Sequence, residues 1–240
     1  MSLMFNIQPV GYIRSCYREK FGVPRQPNLV TEARAQLVLL PEFPLETVRG
    51  LQDFSHLWLI FRFHLTSDQG WHPTVRPPRL GGNQRLGVFA TRSTFRPNSL
   101  GLSVVQLLGI SESKGQVRLE LQGADLLDGT PIVDIKPYLP YVDALPQARA
   151  GFAQLAPVSA LKVRFSTIAS VQCQDQSTKW QVNMELLICQ ILQQDPRPAY
   201  RVGTLDTREY GMRLYDFDVH WRYDADEIEV LDLTPCQSPL

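Results

Sequence analysis

A stretch of the chain, residues 69–111, contains no aspartate or glutamate. Five arginines lie within it: Arg76, Arg79, Arg85, Arg92 and Arg96. A guanidinium binds phosphate or carboxylate through a planar pair of N–H donors. Trp71, His72 and Phe95 lie in the same stretch, and aromatic rings stack on unpaired bases. The sequence is equally consistent with arginines that pair with acids elsewhere in the fold.

A second polar segment, residues 123–131, places Asp125 and Asp128 on either side of two leucines, before a tight Asp-Gly turn. Backbone groups of such a segment could hold an adenine or an amino-acid group, and a carboxylate could face a sulfonium. A turn stabilised only by hydrogen bonds from aspartate side chains is the simpler interpretation of the residues alone.

Two further segments are candidates for anion binding. Residues 92–101 are dense in polar groups, and they predict either a helix start whose amides bind an anion or a capped turn. Residues 195–201 form a stiff, basic and aromatic segment, with Arg208 and Arg213 nearby. This segment could grip a nucleic-acid backbone, or it could simply be the solvated end of a helix.

Other kinds of chemistry have weaker support. His56, His64 and His72 recur every eight residues, but no cysteine or carboxylate stands at a metal-ligand spacing from them. No nucleophile elbow, phosphate-binding loop, zinc-protease motif or dinucleotide-binding glycine motif occurs in the sequence. The absence of these motifs argues against the common hydrolases, kinases and dinucleotide enzymes.

The elements that must position these residues are mostly strands. From residue 5 to about 138, short β-type segments alternate with Gly, Pro, Asn and Asp clusters, which predicts an antiparallel barrel or sandwich. The segment His56 to Leu65 alternates apolar and mixed positions, as expected of a central strand. We also predict short helices over 46–53 and from about residue 97.

The second half has a different pattern. Residues 139–158 are rich in Pro, Ala and Gln and predict a linker. After it we predict a strand over 161–165, one amphipathic helix over 177–194 and a hairpin over 212–233. The predicted fold is therefore mainly β, with an antiparallel β-barrel domain over 1–145 and a smaller α+β domain over 146–240.

The composition of the 240 residues is that of an ordinary globular protein, with 24 basic and 24 acidic residues. The four cysteines are scattered without a C-x-x-C pair, which favours a reducing, cytoplasmic location. We see no signal peptide and no apolar stretch of membrane-spanning length.

Several of these segments together resemble the TsaA-like family, and within it the TrmO-type transfer-RNA methyltransferases. The similarity covers residues 23–27, 50–51, 54–58, 63–64, 73–101, 125–140 and 195–201. The long central segment is the most specific of them. The resemblance implies a β-barrel that binds S-adenosylmethionine, a homodimer, and methyl transfer to the exocyclic nitrogen of threonylcarbamoyladenosine beside the anticodon of transfer RNA.

The resemblance also assigns site residues. The implied cofactor-binding residues are Pro24, Arg25, Gln26, His64, Leu65, Arg92, Leu102, Asp125, Leu126, Leu127 and Asp128. The implied contacts to transfer RNA in the second domain are Arg197, Tyr200 and Arg201. From the acid-free stretch we add Arg76, Arg79 and Arg96, and we expect one of these or Arg92 to pair with the threonyl carboxylate of the substrate.

The reaction needs positioning more than acid catalysis, because the sulfur leaving group is neutral. A base near the accepting nitrogen would help, and Asp128 and Asp134 are our candidates, with a bound water as the alternative. No metal is required. Three other functions stay open on the sequence: a methyltransferase with a small-molecule acceptor, a non-catalytic RNA-binding barrel, and a metal-dependent enzyme that uses the histidines.

Overall fold

The structure is a computed structural model that describes residues 6–156, 161–197, 208–224 and 227–236. The strands in these residues are β1 (Gly11–Ser15), β2 (Arg34–Leu39), β3 (His56–Arg62), β4 (Thr74–Val75), β5 (Leu86–Gly87), β6 (Leu100–Ser113), β7 (Gln116–Gln122), β8 (Pro131–Pro137), β9 (Lys162–Phe165), β10 (Glu209–Leu214), β11 (Phe217–Asp224) and β12 (Glu227–Pro235). The α-helices are α1 (Pro140–Asp143), α2 (Thr167–Trp180) and α3 (Met184–Gln193). None of the described helices is long and apolar enough to cross a membrane.

Six strands close a barrel in the order β1-β2-β7-β6-β3-β8, and every neighbouring pair is antiparallel. Closure leaves no unpaired sheet edge in the ring. Along β3, Leu57, Leu59 and Phe61 point into the barrel core, as the alternation in the sequence predicts. The prediction of a mainly β chain built on an antiparallel barrel is confirmed.

The second half forms a four-stranded sheet in the order β10-β11-β12-β9, in which β9 runs parallel to β12. Helices α2 and α3 pack against this sheet. The core between them contains Met184, Leu187 and Ile191 from α3 and Trp221 from β11. The strand over 161–165 and the hairpin thus exist, and β10 joins that hairpin as a third antiparallel strand.

The single helix predicted over 177–194 is wrong, because the chain forms two helices there. Gln181 has a left-handed backbone (φ 54) and ends α2, while the Asn183 side chain accepts a hydrogen bond from the Leu186 amide at 3.1 Å and begins α3. The apolar spacing continues across this break because both helices cover the same sheet.

The short helix predicted over 46–53 is also wrong, and of the two alternatives near residue 97 the chain adopts the turn. The chain makes two separate 3-10 turns, Leu45–Val48 and Leu51–Asp53, in place of one helix over 46–53. Around Asn98 it makes a turn that leads directly into β6, so no helix begins at Pro97. The other 3-10 turns are Ser67–Gln69, Pro78–Leu80, Val88–Ala90 and Gly151–Ala153.

The two halves of the chain share one of the two hydrophobic cores. Residues from the first half that lie in the core of the second are Cys16, Tyr17, Val30 and Ala33. Tyr17 also forms a β-bridge with Leu214, and the Tyr215 amide donates to the Cys16 carbonyl at 2.9 Å. The segment that follows β1 therefore packs as part of the second half.

Gly101 in β6 allows close packing against β3 near the end of that strand. A Cβ atom built on Gly101 would lie 2.2 Å from Cζ of Phe61, which is far inside van der Waals contact. Phe61 is buried in the barrel core, and its ring lies edge-on to Phe63 with a centroid separation of 4.9 Å. Phe61 therefore occupies the space that any side chain at position 101 would need.

We expect Gly101→Ala to lower the free energy of unfolding by about 1–3 kcal/mol, the usual cost of overpacking a core, because the Phe61 ring has to move. Urea denaturation measures this effect. Gly109→Ala in the same strand is the matched control, since a Cβ there meets no atom within 4 Å. Equal stability of the two variants would contradict the proposed close packing.

Candidate active site

A cleft of about 660 Å³ opens where β3 ends and β6 begins. Its apolar walls come from both strands and from the loops around them, and they include Trp58, Phe61, Phe63, Leu102 and Leu126. The volume lies in the ~300–1,000 Å³ range of sites for small molecules and cofactors. We therefore expect the predicted site residues to line this cleft.

Most of those residues line the cleft. From the implied cofactor set, the lining residues are Pro24, Arg25, Gln26, His64, Leu65, Arg92, Leu102, Asp125, Leu126 and Leu127. Arg96, predicted as a substrate contact, lines it as well. The chain thus brings together segments that are far apart in sequence.

The loop that carries Pro24, Arg25 and Gln26 is attached to the turn that precedes Asp125. The Asn28 amide donates to the Gly123 carbonyl at 2.8 Å, and Nδ2 of Asn28 donates to the Val104 carbonyl at 3.2 Å. Gly123 has φ +74, and a Cβ there would lie 2.3 Å from Oδ1 of Asn28. Only glycine satisfies both conditions at this position.

Two arginines of the acid-free stretch form part of the cleft wall. Arg92 donates a hydrogen bond to Oε1 of Gln26, which links the central segment to the Pro24 loop. Arg96 donates to the carbonyls of Thr91 at 2.7 Å and Val88 at 3.3 Å. Backbone carbonyls thus fix the guanidinium of Arg96 while leaving its charge uncompensated by any of these contacts.

Asp125 is the carboxylate that lines the cleft among the described residues. Oγ of Ser103, a fully buried side chain, donates a hydrogen bond to Oδ1 of Asp125. Burial raises the pKa of Asp125 to about 6, and the bond from Ser103 and the charge of Arg92 oppose that rise. Asp125 is therefore a carboxylate with unusual affinity for a proton.

His64 responds to burial in the opposite direction. Burial lowers the pKa of His64, and the nearby charge of Lys20 lowers it further. Its imidazole is therefore neutral at physiological pH. Lys20 itself donates to the Leu65 carbonyl at 3.2 Å, so it lies at the same edge of the cleft.

The cleft is strongly basic as a whole. The charged side chains that line it, besides Asp125, are Lys20, Arg25, Arg62, Arg92 and Arg96. Five cations facing one carboxylate give a positive field inside a partly enclosed space, where charges act over longer distances than in bulk water. This arrangement favours an anionic ligand or an anionic part of a ligand.

Asp128 and Asp134, the two candidate general bases, both lie outside the lining of this cleft. Oδ1 of Asp128 accepts the Ser15 amide at 3.0 Å, and its other oxygen pairs with Arg18, so this carboxylate holds the end of β1. Asp134 is an exposed residue of β8 whose Oδ1 accepts the amide of the next residue. Neither side chain lines the cleft, and the cofactor contact implied for Asp128 stays a prediction.

The predicted RNA contacts have different surroundings. Arg76 and Arg79 are exposed and lie outside the cleft, and Arg79 donates to the Leu155 carbonyl. Arg197 is only 5% exposed, makes two hydrogen bonds of 2.8 Å to Asp195, and stacks at 3.6 Å from the Tyr223 ring centroid. This arginine is therefore paired inside the domain, and its contact with RNA stays a prediction.

The remaining two of these predictions, Tyr200 and Arg201, fall outside the described residues. The three histidines do not form a metal site. Within the described ranges there is no group of three or more His, Cys, Asp or Glu side chains that could hold a metal ion. His56 lies beside Tyr138 and His72 beside Phe95, so their surroundings differ from that of His64.

Sequence reasoning missed several residues of the cleft. Ser103, Thr130 and Thr66 are buried polar side chains, and the last two line the cleft directly. A signal for Ser103 was available, because it occupies the core-facing register of β6 with Val105 and Leu107, where an apolar residue is expected. Lys20 had no comparable signal, since its position depends on the path of the chain after β1.

We expect Asp125→Asn to stabilise the protein at neutral pH. Between the ordinary pKa of 3.8 and the folded value of about 6, the unfolded chain ionises while the folded protein keeps its proton. The wild type therefore loses stability as pH rises through this window, by roughly 1–3 kcal/mol, and the variant does not. Thermal unfolding at pH 4 to 8 measures the difference, which should vanish near pH 4. Asp134→Asn serves as the exposed control, and a pH-independent difference would contradict the assignment.

Comparison with known proteins gives a consistent result over the whole chain. Residues 12–144 match the family model described as the tRNA-methyltransferase O N-terminal domain, and residues 158–236 match the TrmO C-terminal domain. The tRNA (adenine(37)-N6)-methyltransferase of Escherichia coli is 50% identical over 232 residues, which cover 96% of this chain and 98% of that protein.

A Pseudomonas aeruginosa relative is 50% identical over 95% of this chain and 97% of its own length, and its name assigns it provisionally as the S-adenosylmethionine-dependent methyltransferase RcsF. The crystal structure of TrmO from P. aeruginosa superposes with a TM-score of 0.81 at 45% identity, covering 98% of this chain and 99% of that one. These matches span both halves of the fold, and the chain belongs to the tRNA-methyltransferase O family.

Proposed function

We propose that this chain transfers a methyl group from S-adenosylmethionine to the exocyclic nitrogen of threonylcarbamoyladenosine, next to the anticodon of transfer RNA. The observation that carries the proposal is the composition of the cleft, in which apolar and aromatic walls surround five cations and one carboxylate. Membership of the family, whose E. coli relative is named for methylation of adenine 37 in tRNA, supports the same conclusion.

The cleft residues fit the proposed cofactor chemically. Leu102, Leu126 and Leu127 offer apolar surface for an adenine ring, while Arg25 offers a cation for a carboxylate. Asp125 is the described carboxylate that faces the same space. When bound, S-adenosylmethionine supplies an activated methyl group on a sulfonium. The protein supplies binding, orientation and exclusion of water.

The excess of positive charge in the cleft is explained by the proposed acceptor. A threonyl carboxylate is an anion attached close to the reacting nitrogen, and transfer RNA phosphates surround it. Arg96 is the cleft arginine best placed to pair with that carboxylate, because the Val88 and Thr91 carbonyls fix its orientation in the wall. Arg76 lies outside the cleft and is suited to a phosphate contact instead.

The anticodon loop, a homodimer and a cytoplasmic location belong to the proposal through the family resemblance. The described arginines of the sheet in the second half are largely paired with acidic side chains, so this sheet offers little free positive charge for RNA. Its basic side chains Arg213 and Arg222 pair with Asp218 and Glu229, and Arg164 pairs with Glu229 as well. Contacts to RNA are therefore expected from the acid-free stretch and, as the family resemblance implies, from Tyr200 and Arg201, which lie outside the described residues.

The test of the proposed function is a mass analysis of nucleosides. Purified protein is incubated with S-adenosylmethionine and transfer RNA that carries threonylcarbamoyladenosine, beside the same RNA lacking that modification. We expect a gain of one methyl group on the modified nucleoside alone. Methylation of both RNAs would contradict the proposed acceptor. Absence of methylation in both would contradict the proposed activity.

Variants of two arginines should separate recognition of the modified base from recognition of the backbone. Arg96→Ala is expected to lose most of the preference for modified over unmodified RNA, because the threonyl carboxylate loses its partner. Arg76→Ala is expected to weaken binding to both RNAs equally and to reduce the slope of log K against log salt by about 1. Binding titrations at several salt concentrations measure both effects, and equal behaviour of the two variants would contradict the assignment.

A further inference from the structure

The proposed reaction leaves one proton without an assigned acceptor. The accepting nitrogen lies between an adenine ring and a carbonyl, so its lone pair is delocalised and its N–H is more acidic than that of a simple amine. The nitrogen must lose this proton during or after attack. A group in the cleft that takes the proton would accelerate the step by about 10²–10⁴-fold.

Few groups of the described cleft can accept a proton. The cations Lys20, Arg25, Arg62, Arg92 and Arg96 cannot, which leaves the carboxylate of Asp125 and the imidazole of His64. Burial shifts the pKa values of these two groups in opposite directions. It lowers the pKa of His64, which the charge of Lys20 lowers further, and it raises the pKa of Asp125. Asp125 is thus the group of the two whose basicity burial increases.

The geometry around Asp125 fixes the carboxylate in place. Ser103 is fully buried in β6, opposite Leu59 of β3, and its Oγ donates to Oδ1 of Asp125. A buried hydroxyl on a core-facing strand position is costly unless it has a partner. Ser103 lies among the apolar residues of the barrel core, and its hydrogen bond orients the carboxylate of Asp125.

We propose that Asp125 accepts the proton of the substrate nitrogen and that Ser103 is the positioning residue that holds its carboxylate toward the cleft. This inference rests on the proposed function. The nitrogen–carbon bond forms as the carbon–sulfur bond of the methyl donor breaks, with the electron pair of that bond leaving on sulfur. The proton on nitrogen passes to a carboxylate oxygen of Asp125 and from there to water, which regenerates the carboxylate.

The charges around Asp125 define the expected pH dependence. Arg92 attracts the ionised form, Tyr17 lies close to it from the end of β1, and His64 titrates in the same cleft. Ser103 stabilises the ionised form through its hydrogen bond. Removal of that bond should therefore raise the pKa of Asp125 further and leave the pKa of His64 unchanged. The variant Ser103→Ala thus identifies which of the two groups causes the loss of activity on the acidic side of the pH–activity profile.

The test compares Asp125→Asn, Ser103→Ala and, as the control carboxylate outside the cleft, Asp134→Asn. Single-turnover methylation of modified transfer RNA is measured from pH 5 to 9. Affinities for S-adenosylmethionine and S-adenosylhomocysteine are measured by calorimetry. We expect Asp125→Asn to slow turnover by at least about 100-fold, with both affinities within about threefold of the wild type. We expect Ser103→Ala to move the acidic limb to higher pH and Asp134→Asn to match the wild type.

Three results would overturn the inference. Loss of S-adenosylmethionine affinity alone would make Asp125 a partner of the sulfonium, and loss of both affinities would make it a partner of another part of the cofactor. Full turnover by Asp125→Asn would assign the proton to His64 or water. Failure of the proposed function is distinguishable, because the wild type would then not methylate the RNA. The stability difference between Ser103→Ala and wild type across pH 4 to 8 reports the titration of Asp125 independently of activity.

Discussion

The site depends on the attachment of the Pro24 loop to the turn before Asp125. The hydrogen bonds from Asn28 to the Gly123 and Val104 carbonyls join a segment after β1 to β6 and to the turn that follows β7. Arg92 then reaches Gln26 from a third segment. Without this attachment the cleft would lose one wall, and its charged residues would belong to separate loops.

A second constraint is the balance between burial and charge within the cleft. The same exclusion of water that raises the pKa of Asp125 also strengthens the field of the cations around it. A more exposed carboxylate would be a weaker base, and loss of the bond from Ser103 would raise the pKa of Asp125 further. The hydrogen bond from Ser103, which occupies a core-facing position of β6, therefore keeps the pKa of Asp125 below the value that burial alone would give.

The architecture was largely predictable because strand periodicity is local information. The alternation from His56 to Arg62 predicted the core face of β3 correctly, and the family resemblance identified most segments that meet at the cleft. The choice between Asp125 and Asp128 was not predictable, because the path of the chain through a tight turn decides which carboxylate faces the cleft.

The helix break at Gln181 was missed for a related reason. Apolar spacing records which sheet a helix covers, and two consecutive helices on one sheet maintain the same spacing across a break. Arg197 illustrates the opposite limit of sequence reasoning. Its charge and its neighbours suggested an exposed contact, but its pairing with Asp195 and Tyr223 places it inside the domain.

The packing of Cys16, Tyr17, Val30 and Ala33 in the core of the second half has a consequence for synthesis on the ribosome. The barrel strands are all made before β10 emerges, yet the segment after β1 has no complete apolar surface to cover it until Leu214 is available. A nascent barrel therefore exposes Tyr17 and its neighbours, and the Pro24 loop that follows them acquires its final support late. Folding of the chain is therefore expected to finish only when nearly all of it has been translated, although every residue that lines the cleft precedes residue 131.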